Sequence, residues 1–502
     1  MAKRDIKPQD RVPFHQQLIY GSGAFVNNLL ADSIGRLVIV LNLGLGMNPA
    51  VAGLVAALPR FYDALSDPLI GHLSDHTKTK WGRRRPYIFS GAILVAIVFA
   101  LIWQVPQGQT EGFYFWWFLG GLLIFYTAYT VFATPWVALG YEMTPDYDER
   151  TRLMGTQNFI GQSAYMFTPW LIAIIQLEMF AGSAADDPVQ DGLNVAMVEG
   201  VANFAIFIAV FVAAVGILPA IFLRERYKEI ADKENAADSQ KRGFFAGTVH
   251  NVTGFFQNFA STLSFIPFLK LCIATFLIFN GFILIAAFQS YVIIYYVAAG
   301  DAELGAFWVG WAGTVTAMSA FAAVFIVTVL GNFFGKKAAF TISISISVIG
   351  YIGKWFSYNP DMPWLVVLPM PLVAFGLGGL FTLMPAMMAD VVDLDELRNH
   401  KRREGLFGSI YWWVVKLGQS VAIAGGGYLL LFTGFEVTQG GDQSENTLFL
   451  LRVFDVAVPV VGSIIAIWVV STLQVSKKAA LEVRRQLEER RGAAEIAPAP
   501  AE

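Results

Sequence analysis

The stretch Val51-Ala-Gly-Leu-Val-Ala-Ala-Leu-Pro-Arg-Phe-Tyr-Asp63-Ala-Leu-Ser-Asp67-Pro-Leu-Ile-Gly-His-Leu73 has the length and apolar content of a membrane-crossing helix, yet carries two carboxylates. An ionisable side chain at membrane depth costs at least ~2.5 kcal/mol on insertion scales, and so marks an ion or substrate path. Asp63 and Asp67 are i, i+4 and share one helix face, with Arg60 on the same face nearer one end. Two close like charges stay ionised cheaply only when a cation neutralises them. The face is therefore a candidate Na⁺ or H⁺ site. The bland alternative is a structural pair, in which one aspartate meets Arg60 or a lysine and only holds helices together.

The remaining chain agrees with a membrane setting. Of 502 residues, 56% are hydrophobic and 15% charged, with 42 Phe and 13 Trp; a soluble domain is about a quarter charged. About twelve segments reach the ~20 residues needed to cross ~30 Å of hydrocarbon. They are 17–44, 50–73, 86–105, 113–141, 153–177, 200–223, 268–298, 304–331, 337–358, 363–391, 405–433 and 449–473. Lipid-facing backbone must satisfy its own hydrogen bonds, so segments of this length are helices. The expected fold is an all-α polytopic membrane protein with twelve transmembrane helices in two six-helix halves. The single Cys272 excludes an intrachain disulfide framework and a Cys-based metal site. No cleavable signal peptide is evident: the first sixteen residues are polar, with Lys3, Arg4, Lys7 and Arg11, and the first apolar run is long enough to become a span.

Charge sets the expected orientation. The N-terminus, the 74–86 loop (Lys78, Lys80, Arg83, Arg84, Arg85), the 142–152 loop (Arg150, Arg152) and the 224–262 segment are basic or mixed. So are Lys336–Lys337, the 393–404 loop (Arg398, Lys401, Arg402, Arg403) and the C-terminal tail. The alternate loops carry no Lys or Arg, only acids such as Glu111, Asp186, Asp301, Asp361 and Glu436. The positive-inside rule then places both termini in the cytoplasm of a multi-pass protein of the cell membrane. The expected layout is a cytoplasmic N-terminus (1–16), a first six-helix half (17–223), a cytoplasmic linker (224–267), a second half (268–473) and a cytoplasmic tail (474–502). The charged tail helix around 476–491 is expected to be solvated, and the Ala-Pro-Ala-Pro-Ala-Glu502 end disordered.

Gly71-His-Leu-Ser-Asp75 followed by Gly82-Arg-Arg-Arg85 lies between spans two and three, and Gly331-Asn-Phe-Phe-Gly-Lys-Lys337 is a degenerate copy between spans eight and nine. Such repetition is the usual construction of transporters. The first loop resembles the signature of the major facilitator superfamily. Three segments narrow the likeness: Tyr62-Asp-Ala-Leu-Ser-Asp-Pro-Leu-Ile-Gly71, Trp81-Gly-Arg-Arg-Arg-Pro-Tyr87, and Ala389–Arg398 with Arg402-Arg-Glu-Gly-Leu-Phe-Gly408 and Val414-Val-Lys-Leu-Gly418. With these the chain resembles the glycoside-pentoside-hexuronide:cation symporters, the family of the melibiose permease. The resemblance implies secondary active transport, with Na⁺ or H⁺ driving symport of a sugar or glycoside by alternating access, no cofactor beyond the coupling ion, and membrane lipid as surroundings. A monomer suffices for it, and nothing points to nucleic acid. A proton-coupled disaccharide carrier, similar to the plant sucrose transporters, and a lysolipid transporter of the same fold are the alternatives.

Within the resemblance, Asp63 and Asp67 match the family's cation-site aspartates. The family's helix-four aspartate falls on Ala133, leaving Thr134 as the nearest oxygen donor. The helix-one sugar-binding aspartate falls on Asn28 and the helix-five arginine on Asn158, so those groups for galactosides are missing. Replacement candidates exist for the substrate. Asn28, Asp32 and Arg36 step along span one at i, i+4, i+8; Asp32 and Arg36 either bind substrate or only pair with each other. Span five presents Asn158 and Gln162, and span eleven Trp412, Lys416 and Gln419, with Lys416 matching a family lysine that points into the cavity. Amides and charges suit sugar hydroxyls, an aromatic face suits the ring's C–H side, and pockets carry few polar groups on apolar walls.

Asp75, Arg83, Arg84, Arg85, Arg150, Asp393 and Arg402 are expected to form cytoplasmic salt bridges that hold one access state. Lys354 and the Arg452/Asp455 pair lie near outer helix ends, where snorkelling or packing is the default reading. An enzyme is not expected: the sequence has no His/Glu metal spacing, no Gly-x-Ser-x-Gly, no phosphate-binding loop and no Cys nucleophile context.

Overall fold

The computed structural model describes residues 11–77, 79–144, 146–182, 189–190, 193–225, 262–399, 403–473, 479–480, 482–483, 485–487 and 489–490. The chain there is a series of twelve helical rods. The first six are α1 Phe14–Leu43, α2 Pro49–His76, α3 Arg85–Trp103, α4 Glu111–Glu142, α5 Tyr147–Ser163 and α6 Val195–Gly216. The second six are α7 Ile266–Tyr291, α8 Ala302–Phe334, α9 Lys336–Ser357, α10 Met370–Asn399, α11 Glu404–Phe432 and α12 Glu445–Ser471. Ten are long and apolar enough to cross a membrane. The two that fall short are α2, which carries Arg60, Asp63 and Asp67, and α5, which stops after 17 residues.

Local sequence explains where the rods begin. α2, α4, α6, α8 and α12 start on one face of the molecule, and each is capped there by a side chain: Asn48, Thr110, Asn194, Asp301 and Ser444 accept from a first-turn N–H. Such a cap contributes about 1 kcal/mol. The opposite face carries both ends of the described chain and the basic loops. There α8 turns into α9 through Gly335 alone, whose φ of +85° is open to glycine at no steric cost.

Several boundaries differ from the sequence expectation. Span five is not one helix: α5 ends at Ser163 and gives way to short 3₁₀ turns, Ala164–Met166 and Thr168–Trp170, before a last helical turn Leu171–Ile174. Pro169 has no N–H to continue an α-helical ladder. α10 runs through Asp390, Asp393 and Asp395 to Asn399, so the expected 393–404 loop is largely the final turns of a helix emerging into water. The tail is docked along one side, where Leu487 is buried and Arg490 donates to the Glu396 carbonyl at 3.4 Å, while Glu482, Arg485 and Glu489 stay exposed as expected.

The halves are joined at the face remote from the termini. One buried apolar cluster fills the first half and continues there into Phe288, Ile293, Val309, Met370 and Leu430, while a second, around Phe268, Phe340, Met387 and Phe407, fills the terminus-bearing part of the second half. α2 and α11 cross backbone to backbone: a Cβ on Gly427 would lie 2.3 Å from the Pro49 carbonyl oxygen, and one on Gly53 3.0 Å from that of Ile423. Tyr291 donates to Asn42 at 2.9 Å, and Trp170 beyond the α5 break donates to Thr314 of α8 at 2.8 Å. Nearer the terminus-bearing face, ion pairs among the described residues join helices of one half: Arg83 and Arg84 with Glu142, Lys336 with Asp390, Arg403 with Asp395.

The weak repeat in sequence is repeated in bonding. Arg84 pairs with Glu142 at the end of α4, while Arg85 donates to the carbonyls of Ala220 and Ile221 just beyond α6. In the second half Lys336 pairs with Asp390 of α10, while Lys337 donates to those of Ser471 and Leu473 at the end of α12. Each loop thus puts one cation on a carboxylate and the next on a helix C-terminus, the negative end of its dipole.

Lys354 does not snorkel. It is fully buried against Asp455, Nζ to Oδ2 2.7 Å, and Tyr358 donates to the same carboxylate at 2.5 Å. Arg452 instead stacks between Tyr296 and Trp355, 4.2 Å from each ring. Removing one member of a buried pair strands the other, at a cost of roughly 3–5 kcal/mol. Lys354→Met or Asp455→Asn alone is expected to lower the thermal unfolding temperature in detergent strongly, and the double variant much less; equal losses in all three would contradict the pairing. Gly427→Val is expected to wedge α2 from α11, so that a cysteine at Val55 in a Cys272→Ala background becomes reactive to an impermeant thiol reagent from the remote face, where the unwedged protein is protected.

Candidate functional site

Asp63 and Asp67 project from α2 toward both a neighbour in their own half and a helix of the other half. On the near side stands α4, whose hydroxyls Thr127, Thr130 and Thr134 are spaced i, i+3, i+7 along one stripe. Thr130 donates to Asp63 Oδ1 at 3.0 Å, Thr134 donates to Asp67 Oδ1 at 3.2 Å, and Thr127 meets the Tyr62 hydroxyl at 3.2 Å. Ser66 adds a hydroxyl 3.2 Å from Thr130. On the far side Lys416 of α11 reaches between the carboxylates. Its ammonium lies 2.8 Å from Asp63 Oδ2 and also donates to Asp67 Oδ2.

The triad is unevenly sealed. The Asp63 side chain is 1% exposed, Asp67 36% and Lys416 26%. Access therefore comes from the Asp67 side, nearer the terminus-bearing face, while the α2–α11 crossing closes the other side. Two carboxylates and one ammonium leave a net charge of −1, and the hydroxyls of Ser66, Thr130 and Thr134 complete an oxygen-rich set of the kind hard cations take. Arg60 does not pair with these aspartates: it donates to the Ala31 carbonyl at 3.0 Å and stacks over Tyr126, 4.9 Å from the ring centre.

A second polar group lies on α1, α4 and α5. Asn27 donates to Asn28 at 3.2 Å and accepts from the Tyr129 hydroxyl at 2.8 Å. Asp32 and Arg36 pair at 2.7 Å, and Thr168, in the broken part of helix five, donates to the same Asp32 oxygen. Asp32, Arg36 and Arg60 all act electrostatically on the Tyr165 hydroxyl. Asn158 and Gln162 sit side by side on α5, 3.5 Å apart. On α11, Trp412 is 54% exposed one turn from Lys416 toward the terminus-bearing face, and half-buried Gln419 lies one turn the other way. Phe159 and Phe321 face each other across the halves, ring centres 5.5 Å apart.

The structure thus collects Asp63, Asp67, Thr134 and Lys416 in one place and Asn28, Asp32 and Arg36 in another. Lys416, expected on the substrate side, sits on the aspartates. Thr130 and Ser66 were not singled out from sequence; the signal was the i, i+3, i+7 threonine stripe of α4 facing the i, i+4 aspartates. Among the loop residues, Arg83 and Arg84 share Glu142, Arg84 also donates to Ser74 at 2.8 Å, and Glu225 accepts from the Arg83 N–H at 2.8 Å. Arg150 donates to the Thr144 carbonyl at 3.1 Å, and Asp393 is half-buried on α10. Arg402 and the Asp75 side chain lie outside the described residues.

Comparison with known proteins places this arrangement. Residues 25–477 match the model of the family described as MFS/sugar transport protein. The chain belongs to that family. It is accordingly a multi-pass membrane transporter of the major facilitator superfamily and not an enzyme, as the resemblance to the glycoside-pentoside-hexuronide:cation symporters implied. Among its relatives are an uncharacterised symporter of Synechocystis sp., 24% identical over 96% of this chain and 98% of the other. The isoprimeverose transporter of Lactiplantibacillus pentosus is 23% identical over 90% of this chain and 87% of its own. The sodium-dependent lysophosphatidylcholine symporter 1 of Mus musculus is 24% identical over 92% and 85%. The same fold is found in a bacterial homologue of the human lysosomal transporter Spinster, with a TM-score of 0.62 at 15% identity over 98% of this chain and 100% of that one.

Proposed function

We propose that the chain is a cation-coupled symporter of a sugar or glycoside, with both termini in the cytoplasm of a cell membrane, working by alternating access between a first half of 17–223 and a second of 268–473. The observation that carries this reading is Lys416 of one half lying between Asp63 and Asp67 of the other. In this conformation the lysine stands where a coupling ion would. A Na⁺ or H⁺ arriving past Asp67 competes for the same oxygens, and the hydroxyls of α4 are already turned toward them. Once displaced, Lys416 has lost its counter-charges in a poorly solvated gap, which costs free energy. A substrate offering hydroxyl acceptors near Lys416, Trp412 and Gln419 offsets that cost. Ion and sugar then favour each other's binding, and neither alone shifts the balance between states as far as both together. Asn28, Asp32, Arg36, Asn158 and Gln162 form the opposite wall in this reading, and the lacing of Arg83, Arg84 and Arg85 in the first half and of Lys336 and Lys337 in the second keeps each half rigid as it rocks.

Uptake into proteoliposomes, under imposed Na⁺ or H⁺ gradients with a panel of labelled mono- and disaccharides, tests it. Asp63→Asn/Asp67→Asn is expected to abolish gradient-driven accumulation; a variant that still concentrates sugar normally would remove the proposed ion site. Lys416→Ala is expected to bind the ion at least about tenfold more tightly, a gain of ~1.4 kcal/mol from loss of the competitor, and yet to accumulate less substrate. Which gradient drives uptake also decides between Na⁺ and H⁺, and so between this reading and a proton-coupled disaccharide carrier.

The mouse relative favours a second reading, a lysolipid carrier, since its identity to this chain matches that of the sugar transporter. The polar set on α1, α5 and α11 favours sugar. Inhibition of uptake by excess isoprimeverose or a similar glycoside, with none by lysophosphatidylcholine, is the expected result; the reverse pattern would make the cargo a lipid.

A further inference from the structure

At the terminus-bearing rim of the second half, three cations have no carboxylate among the described residues. Lys270, one turn into α7, donates only to the Thr472 carbonyl at 3.0 Å. Lys337, at the start of α9, donates only to the carbonyls of Ser471 and Leu473. Arg398, in the last turn of α10, makes no hydrogen bond among the described residues and is held only by stacking over Phe265, 5.5 Å from the ring centre. Neighbouring cations of the second half are matched, Lys336 by Asp390 and Arg403 by Asp395, as are Arg83 and Arg84 of the first half by Glu142. The equivalent rim of the first half also has Glu225 beside its arginines. In the second half no acid fills that role among the described residues.

Lys270 and Arg398 line a pocket of about 170 Å³, together with Ile266, Pro267, Thr472 and Leu473. The exposed side chains Ile266, Phe333, Phe334 and Trp468 form an apolar fringe at the same rim. Charge in a pocket and an apolar fringe beside it are the two ends of a phospholipid. We propose that this pocket holds the phosphate of an anionic phospholipid, its headgroup between Lys270 and Arg398 with Lys337 alongside, and its chains against the exposed aromatics. The phosphate oxygens take the unused N–H donors, including the whole guanidinium of Arg398. A basic residue near an anionic lipid surface is worth about 1 kcal/mol, or about fivefold in binding.

The full chain in nanodiscs of phosphatidylcholine, with or without a minor fraction of phosphatidylglycerol, tests the proposal, with bound lipid counted by native mass spectrometry. Selective retention of phosphatidylglycerol is expected, falling about fivefold in Lys270→Gln, about fivefold in Arg398→Gln and further in the double variant. Arg398→Lys is expected to keep most of the selectivity, and its thermal unfolding in phosphatidylcholine alone checks that folding is intact. Arg485→Gln, on the exposed tail, is expected to change nothing. Equal retention of both lipids by the unmodified chain would overturn the proposal. So would an equal loss of selectivity in Arg485→Gln, or stabilisation by inorganic phosphate with no preference for phosphatidylglycerol.

Discussion

Lys416 reaches from the second half of the chain to two carboxylates of the first, and at membrane depth none of the three charges can be left alone. That constraint organises its surroundings. It turns the Thr130 and Thr134 hydroxyls of α4 toward the aspartates rather than into their own helix, and it draws α11 onto α2. The small residues at the remote end, Gly53 and Gly427, allow the same two helices to touch there through backbone alone. The α2–α11 seam therefore combines a non-directional contact that closes one entrance with a charged contact, the one the proposed coupling ion would contest. Only the second can be switched chemically, which is why it sits in the middle of the seam.

The paired loops do a different task. Arg84 with Glu142 and Lys336 with Asp390 bind each loop to its own half, and Arg85 and Lys337 fasten the ends of α6 and α12. The sequence suggests these loops as latches between access states. Among the described residues they act here as lacing within each half, with Glu142 in a role the charge pattern did not single out. Rigid halves are what the proposed rocking mechanism would need, since bending helices would absorb any change made at the triad.

Much of the architecture was legible because membrane depth enforces simple rules. Apolar length marked twelve rods, and the alternation of basic and acidic loops matches the two faces on which helices begin. The Asp63/Asp67 cluster was legible because charge is so rare there. What escaped was set by tertiary contact. The break after Ser163 follows local backbone choices around Pro169 that an apolar window averages away. Lys416 was visible as a polar residue on α11, but only the approach of α11 to α2 determines whether it meets substrate or aspartate. Likewise the sequence left Lys354 between snorkelling and packing, which only the approach of Asp455 and Tyr358 decides. Thr130 is one of many span threonines, distinguished only by what it faces.

The graded exposure of the two carboxylates would, in the proposed carrier, separate speed from selectivity. Asp67, open to the gap, is the first of the two that anything arriving from that side meets, so it would govern how fast an ion exchanges with that compartment. Asp63, enclosed by Thr130 and Ser66, is where dehydration would be completed, so it would govern which ion is accepted. Turnover could then be retuned at the mouth of this antechamber without disturbing the discrimination made at its back wall.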